Sequence, residues 1–226
     1  MLDTLQQHLA QIYELDTELS VLDFLITDPL LATKYDKSPN ARTIDEKLLV
    51  CQNDETLDIA LYINRDVLHQ LEQDNPFDSL NDNNIHQFWI ALEGVSHFNY
   101  LVWNARFDRP VSLFELELQA EVDKFVLTIM LLNQQENIFL TRHVLQHLFL
   151  QSSYDEQLNR AELWRYIRAN YFACHYCEGI TALFSQTHKV NQLHNELRRF
   201  YRLTQHYKLR HIYSVSQRFR PLSFAR

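Results

Sequence analysis

The spacing of apolar residues along the chain predicts a mainly helical protein. At the N-terminus, apolar residues recur every three or four positions, at Leu2, Leu5, Leu9, Ile12 and Tyr13, which is typical of an amphipathic helix. The same spacing predicts longer helices over residues 84–104, 113–132, 139–151, 154–178 and 190–213. These five segments predict a helical body that occupies the chain after residue 80.

A β-hairpin is predicted before this body, over residues 47–63. Ile59, Leu61 and Ile63 alternate with less apolar residues, and a polar turn at residues 52–55 separates them from the apolar run at 47–51. A lone hairpin must pack on another element. The predicted fold class is therefore α+β and predominantly α-helical. Its N-terminal part (1–80) and helical, bundle-like part (81–226) form either two domains or one continuous domain.

Two capping boxes mark helix starts, at Ser112–Glu115 and at Ser153–Glu156. Gly179 is expected to cap the helix that begins at the second box, or to lie at a kink in it. The other glycine, Gly94, lies inside a predicted helix, where glycine is less favourable than alanine by about 1 kcal/mol. Its presence predicts that a neighbouring helix approaches closely beside Glu93.

With only two glycines, the chain lacks the motifs that build several kinds of active site. Glycine-rich phosphate-binding loops and the nucleophile elbow of hydrolases both require clustered glycines. Three cysteines, no apolar stretch longer than eight residues and no signal-peptide pattern at the N-terminus predict a cytoplasmic protein without a membrane partner. Cys174 and Cys177 form a CxxC, which is typical of redox or half-zinc sites but is also compatible with two small packed residues in a helix.

Charge is distributed unevenly along the chain, whose formal net charge is −8. Residues 181–226 contain nine Lys and Arg and one acid, whereas residues 1–180 contain 12 Lys and Arg and 28 acids. The two parts either complement each other, within one molecule or across a homodimer, or the basic part binds a polyanion such as nucleic acid.

The function predicted from this charge is that of a non-catalytic interaction or regulatory protein, whose basic C-terminal helix contacts an acidic protein surface or nucleic acid. Basic residues interleaved with aromatic ones suit contacts with phosphates and bases. They suit equally an amphipathic helix lying on an acidic neighbour. The residues expected to make the contact are Arg198, Arg199, Arg202, Lys208 and Arg210.

Narrow polar stripes run along two otherwise apolar helices and predict a candidate metal site. Glu93 and His97 are four residues apart in one helix, as are Glu117 and Glu121 in the next. If the stripes face each other inside a bundle, three carboxylates and an imidazole converge, as in sites for Fe, Mn or Zn. Each stripe is also compatible with the solvent-exposed line of a mostly buried helix or with a buried polar network. A divalent metal is therefore the cofactor to test.

A candidate catalytic site lies in residues 142–147. Arg142 and His147 have Arg-x4-His spacing, with a polar residue, His143, after the arginine. This segment resembles the short signature of the HEPN ribonuclease superfamily, and the resemblance covers six residues. It implies an all-helical enzyme in which the arginine and the histidine cleave RNA, usually across a dimer. The alternative function is thus a helical enzyme, either metal-dependent or HEPN-like. The segment is also compatible with an ordinary helix that has His143 and His147 at its partly exposed edge.

Overall fold

The computed structural model divides the chain into two compact units. It describes residues 1–16, 18–36, 44–53, 56–136, 141–151, 154–184 and 190–218. Unit 1 comprises Met1–Gln11 and Leu15–Pro110, and unit 2 comprises Ile12–Glu14 and Val111–Arg226. The predicted class, α+β and mostly helical, is confirmed. The division after Pro110 differs from the boundary predicted after residue 80, because the helix over residues 85–105 packs on the sheet of the N-terminal part.

Unit 1 combines a three-stranded sheet with helices. Its helices are most of α1 (Leu2–Tyr13), α2 (Pro29–Tyr35), α3 (Arg65–Gln73) and α4 (Ile85–Ala105), with a 3-10 turn at Val21–Phe24. Its strands are β1 (Leu25–Ile26), β2 (Glu46–Gln52) and β3 (Leu57–Ile63). β2 and β3 form the predicted antiparallel hairpin, and β1 pairs in parallel with β3. β1 was not predicted, since two residues are too few to show alternation.

The main core of unit 1 lies between α4 and the sheet. Leu92 and Val95 of α4 are buried, as are Leu61 and Ile63 of β3. Successive strand residues point to opposite faces, so a second, smaller cluster forms on the other face of the sheet. This cluster contains Ala32 of α2 with Leu49 and Tyr62 of the hairpin.

Unit 2 is helical in its described residues. Its elements are α5 (Leu113–Gln134), α6 (Thr141–Leu145) with a π-helical turn at Gln146–Leu150, α7 (Arg160–Phe184), α8 (Val190–Arg202) and α9 (Gln205–Arg218). α7 packs against both α5 and α9. The capping box predicted at Ser112 is present: its hydroxyl accepts from the Glu115 backbone N–H, and the Glu115 carboxylate accepts from the Ser112 backbone N–H. No described helix has the length and apolar character needed to cross a bilayer.

The start and end predicted for α7 are wrong. Ser153, the first residue of the second predicted capping box, lies outside the described residues, and α7 begins at Arg160. Asn159 caps it instead, because its side chain accepts from the Glu162 backbone N–H at 3.0 Å while the Glu162 carboxylate accepts from the Asn159 backbone N–H at 3.0 Å. The helix continues through the buried Gly179 to Phe184.

The single helix predicted over residues 190–213 is in fact two helices. α8 ends at Arg202 and α9 begins at Gln205. The break falls at Leu203–Thr204, where the backbone N–H of Lys208 donates to the Thr204 carbonyl and starts the new helix. Threonine is among the residues preferred just before a helix. The interruption was not predicted, because the residues on both sides of it keep a helical spacing.

The two units also differ in charge. Unit 1 contains 7 Lys and Arg against 18 Asp and Glu, a net charge of −11. Unit 2 contains 14 Lys and Arg against 11 Asp and Glu, a net charge of +3. The contrast in net charge along the sequence is therefore also a contrast between the two units. In unit 2, acidic residues offset much of the positive charge of the C-terminal segment.

Candidate functional site

Three side chains able to bind a metal converge in unit 1. Glu46, Glu93 and His97 each offer one ligand atom, and these three atoms lie within 4.8 Å of one another. His97 Nδ1 is 3.5 Å from Glu46 Oε1, and the two side chains are only 9% and 11% exposed. In the part of the chain that the structure describes, no other group of three or more His, Cys, Asp or Glu residues has this geometry.

A helix and a strand position these ligands. Glu93 and His97 are one turn apart on α4, so their side chains leave the same face of the helix. Glu46 is the first residue of β2, where it pairs with Ile63 of β3. Because β2 packs against α4, regular backbone fixes all three Cα positions.

Gly94 allows the sheet to approach α4 beside the ligands. A Cβ atom at this position would lie 2.8 Å from Glu46 Cγ and 2.9 Å from Leu61 Cδ1. Carbon atoms pack best at about 3.5–4.0 Å, so neither contact leaves room for a methyl group. The close approach predicted at Gly94 thus occurs, but the neighbours are two side chains of the sheet, Glu46 and Leu61, rather than a helix.

Glu93 and His97 were predicted as ligands from their helical spacing, whereas Glu46 was not predicted. Residues two apart in a strand share a face, so Glu46 lies on the same face of β2 as Leu48. Leu48 in turn pairs with the fully buried Leu61. The available signal was a carboxylate directly before the predicted strand, two residues from Leu48 and therefore on the same face.

The other two predicted metal ligands belong to unit 2. Arg165 Nε lies 3.4 Å from Glu117 Oε1, and Lys124 Nζ donates to Glu121 Oε1 at 2.6 Å. Glu117 and Lys124 are buried, as is His97 in the other stripe. These three positions therefore do not lie on a solvent-exposed line of a helix. A site that combines all four predicted ligands stays a prediction.

A second buried polar group surrounds Lys208 in unit 2. Lys208 Nζ donates to Gln119 Oε1 at 2.5 Å, and Gln119 Nε2 donates to Asp123 Oδ1 at 2.8 Å. The Tyr13 hydroxyl donates to the same oxygen of Asp123. All four side chains are almost completely buried. We call this set, Tyr13, Gln119, Asp123 and Lys208, the Lys208 network.

Burial shifts the proton affinities of this network. It lowers the pKa of Lys208 to about 7, against the opposing effect of Asp123 and Glu115. Burial and the Asp123 carboxylate raise the pKa of Tyr13 well above its usual range. The Lys208 ammonium also lies 4.6 Å from the centre of the Phe200 ring, a favourable position for a cation.

We expect the free energy of unfolding to rise with pH between about pH 7 and pH 9, the usual pKa of a thiol, because above it the raised pKa values of Cys174 and Cys177 act in the opposite direction. In this window the unfolded chain binds a proton at Lys208 that the folded chain has released, so folding becomes more favourable as protons become scarcer, on the order of 1 kcal/mol per pH unit. Urea unfolding at several pH values measures the slope. Lys208→Met should reduce this slope. Lys34→Met changes an exposed lysine and should leave the slope unchanged. Equal slopes in the unmodified protein and both variants would contradict the prediction.

Three of the five predicted partner-binding residues have roles inside unit 2. Arg198 Nε and Arg202 Nη2 donate to carbonyl oxygens of the last turn of α1, at 3.1 and 3.0 Å. Arg198 also pairs with Glu14 at 2.9 Å. Both arginines thus satisfy the C-terminal end of a helix, which favours positive charge. Lys208 is buried, which corrects its assignment as a surface contact, whereas Arg199 and Arg210 are exposed.

The HEPN-like segment is only partly described. His143 and His147 are exposed, on α6 and on the π-helical turn that follows it. The side chain of Arg142 lies outside the described residues. A catalytic pair of Arg142 and His147 therefore stays a prediction.

The CxxC cysteines lie within α7, where Cys177 is buried and Cys174 is half-buried. Burial raises the pKa of Cys174 to about 12 and that of Cys177 well above its usual range. Neither cysteine is in a disulfide, and the raised pKa values keep both thiols protonated at neutral pH. Because the thiolate is the reactive form, this environment favours packing over redox chemistry.

The candidate metal ligands and the Lys208 network thus lie in different units. In unit 1, two carboxylates and an imidazole can share an ion, since oxygen and imidazole nitrogen ligands suit several divalent metals. In unit 2, the Lys208 network satisfies its own hydrogen bonds within a packed core. Comparisons of the chain with protein-family models, with curated proteins and with solved structures found no match.

Proposed function

We propose that this protein binds a divalent metal ion in unit 1 through Glu46, Glu93 and His97. The observation that carries the proposal is the convergence of three ligand atoms within 4.8 Å of one another. Ligands bound to one ion at about 2.1 Å lie about 3–4 Å apart. The 3.5 Å between His97 Nδ1 and Glu46 Oε1 already falls in that range.

Electrostatics supports a cation at this position. Two carboxylates lie together in a largely buried place, where repulsion between like charges is weakly screened. A divalent ion compensates both charges and also accepts the imidazole nitrogen. Two oxygens and one nitrogen are typical ligands of Mn²⁺, Fe²⁺ and Zn²⁺, whereas Cu⁺ prefers sulfur.

Three protein ligands leave coordination positions for water or for a substrate atom, as in catalytic zinc sites. The same ion would link β2 to α4 and so stabilise the folded form of unit 1 by mass action. We therefore propose a metal-dependent protein and expect it to act in the cytoplasm, where its three free cysteines remain reduced.

Metal analysis of the purified full-length protein tests this function. After removal of metals with a chelator, the protein is loaded separately with Mn²⁺, Fe²⁺ under anaerobic conditions, or Zn²⁺. We expect about one ion per chain for at least one of these metals, with a matching rise in the thermal midpoint. Glu46→Gln, Glu93→Gln and His97→Gln should each weaken binding by about 100-fold, because even loss of an outer-shell partner costs 10–100-fold.

Two substitutions of the same kinds outside the site serve as controls. His86→Gln changes an exposed histidine of α4, and Glu72→Gln changes an exposed carboxylate of α3. Both should bind metal like the unmodified protein. Failure of the unmodified protein to bind any of the three metals, or equal binding by all variants, would rule the site out.

Two other functions stay predictions. Contact of the C-terminal cations with an acidic protein surface or nucleic acid is supported by the net positive charge of unit 2 and by the exposure of Arg199 and Arg210. A HEPN-like ribonuclease rests on the spacing of Arg142 and His147 alone. Neither depends on the proposed metal.

A further inference from the structure

Unit 2 exposes aromatic rings on two neighbouring helices. Trp164 and Tyr171 lie on one face of α7 and are 61% and 53% exposed. Tyr213 of α9 is 57% exposed, and α9 packs against α7. Large rings are normally buried, so several exposed rings on adjoining elements indicate an interaction surface.

Ring contacts join these residues into one patch. Phe172 meets Tyr171 edge-to-face, with ring centres 5.3 Å apart, and meets Tyr213 in the same way at 6.1 Å. The Arg168 guanidinium lies 6.0 Å from the centre of the Trp164 ring and 5.8 Å from that of Phe172. Tyr213 is therefore continuous with the aromatic rings of α7.

The charged side chains placed among these rings are cationic. Arg168 lies one turn after Trp164 on α7, and Arg210 lies one turn before Tyr213 on α9. Arg210 is exposed, and no acidic residue lies between Trp164 and Tyr171 in the sequence. We call the set of Trp164, Arg168, Tyr171, Arg210 and Tyr213 the aromatic face.

We propose that the aromatic face binds single-stranded nucleic acid, with its bases stacked on the rings of Trp164, Tyr171 and Tyr213 and its phosphates paired with Arg168 and Arg210. Surfaces that bind single strands combine aromatic stacking positions with cations that contact the backbone. The positive charge of unit 2 favours the approach of a polyanion. This proposal does not depend on the metal site of unit 1.

The exposed rings favour nucleic acid over an acidic protein as the partner. A row of carboxylates would use the two arginines but would leave three large rings without a matched contact. Every base has a flat surface that can stack on such a ring, and each phosphate can accept hydrogen bonds from a guanidinium. The face thus offers both kinds of contact that a single strand requires.

Fluorescence anisotropy with labelled oligouridine and oligodeoxythymidine of about 12 nucleotides, a length such surfaces cover, tests the proposal. We expect binding at low salt that weakens as salt rises, with a slope of log K against log salt of about −1.4 for two phosphate contacts. Arg210→Gln should reduce that slope to about −0.7. Trp164→Ala, Tyr171→Ala and Tyr213→Ala should each weaken binding by about tenfold, the effect of losing one stacked base.

Controls come from exposed residues outside the aromatic face. Tyr35→Ala removes a ring of α2 that is 55% exposed, and Arg65→Gln removes an exposed cation of α3. Both should bind oligonucleotide like the unmodified protein, and thermal midpoints verify that every variant is folded. No binding at low salt, or equal binding by all variants, would overturn the proposal. So would binding of poly-glutamate without binding of either oligonucleotide, which would assign the face to an acidic protein.

Discussion

Asp123→Ala is expected to lower the free energy of unfolding by about 3 kcal/mol, because two buried donors lose their acceptor and each such loss costs about 1–3 kcal/mol. The Asp123 carboxylate accepts hydrogen bonds from the Tyr13 hydroxyl and from Gln119, which in turn accepts from Lys208. Its removal leaves a phenol and an amide without their acceptor in the core. It also removes the nearby negative charge that favours the ammonium form of Lys208.

Urea unfolding measures this effect, and two further variants separate its causes. Asp123→Asn keeps an acceptor oxygen but removes the charge, so its cost should be smaller. A Lys208→Met/Asp123→Leu double variant replaces both ionisable groups with apolar ones, and it should recover part of the loss, since hydrophobic replacements of buried pairs are often nearly neutral. Glu72→Ala, on the surface of α3, is the control. A loss below about 1 kcal/mol for Asp123→Ala would contradict the buried network, because that is the scale of an ordinary hydrogen bond.

Gly94→Ala is expected to destabilise the protein by about 1 kcal/mol, although alanine is the better helix former. The intrinsic preference for alanine in a helix is worth about 1 kcal/mol. The added Cβ would lie 2.8 Å from Glu46 Cγ and 2.9 Å from Leu61 Cδ1, and Leu61 is fully buried. Overpacking of this kind costs about 1–3 kcal/mol, so the clash should outweigh the helix preference.

Thermal and urea unfolding of Gly94→Ala measure this cost, and a double-mutant cycle locates it. Glu46→Ala removes the Cγ atom that the new methyl group meets, so the double variant should lose less stability than the two single variants combined. Gly94→Ala should also weaken metal binding, because the methyl group pushes Glu46 away from Glu93 and His97. A Gly94→Ala variant more stable than the unmodified protein would show that helix preference, not the close approach of the sheet, governs this position.

The long helices and the hairpin followed from periodicity because each depends mainly on local sequence. The prediction of a capping box at Ser112 was correct, since both of its hydrogen bonds form within four residues. The helix break at Leu203–Thr204 was missed because the residues on both sides of it keep a helical spacing. The start of α7 at Arg160 was missed because Asn159 and Glu162 form an equivalent cap further along the chain.

The candidate metal site was only half predictable. Glu93 and His97 are one turn apart on a single helix, so their shared face follows from helical geometry. Glu46 lies 47 positions before Glu93 in the sequence, and only the packing of β2 on α4 brings it beside them. The aromatic face was missed for a similar reason, because it joins residues of α7 with residues of α9.

By itself, the sequence determined what depends on neighbours along the chain: the helical class, the hairpin, the charge contrast and the Glu93–His97 pair. The tertiary structure alone decided which charged groups are buried and which ligands share a site. Lys208 shows why, since the sequence presents it as one of many C-terminal cations and the fold places it beside Gln119 and Asp123. Burial and long-range contact depend on how elements pack, and the spacing of residues within one helix does not specify that packing.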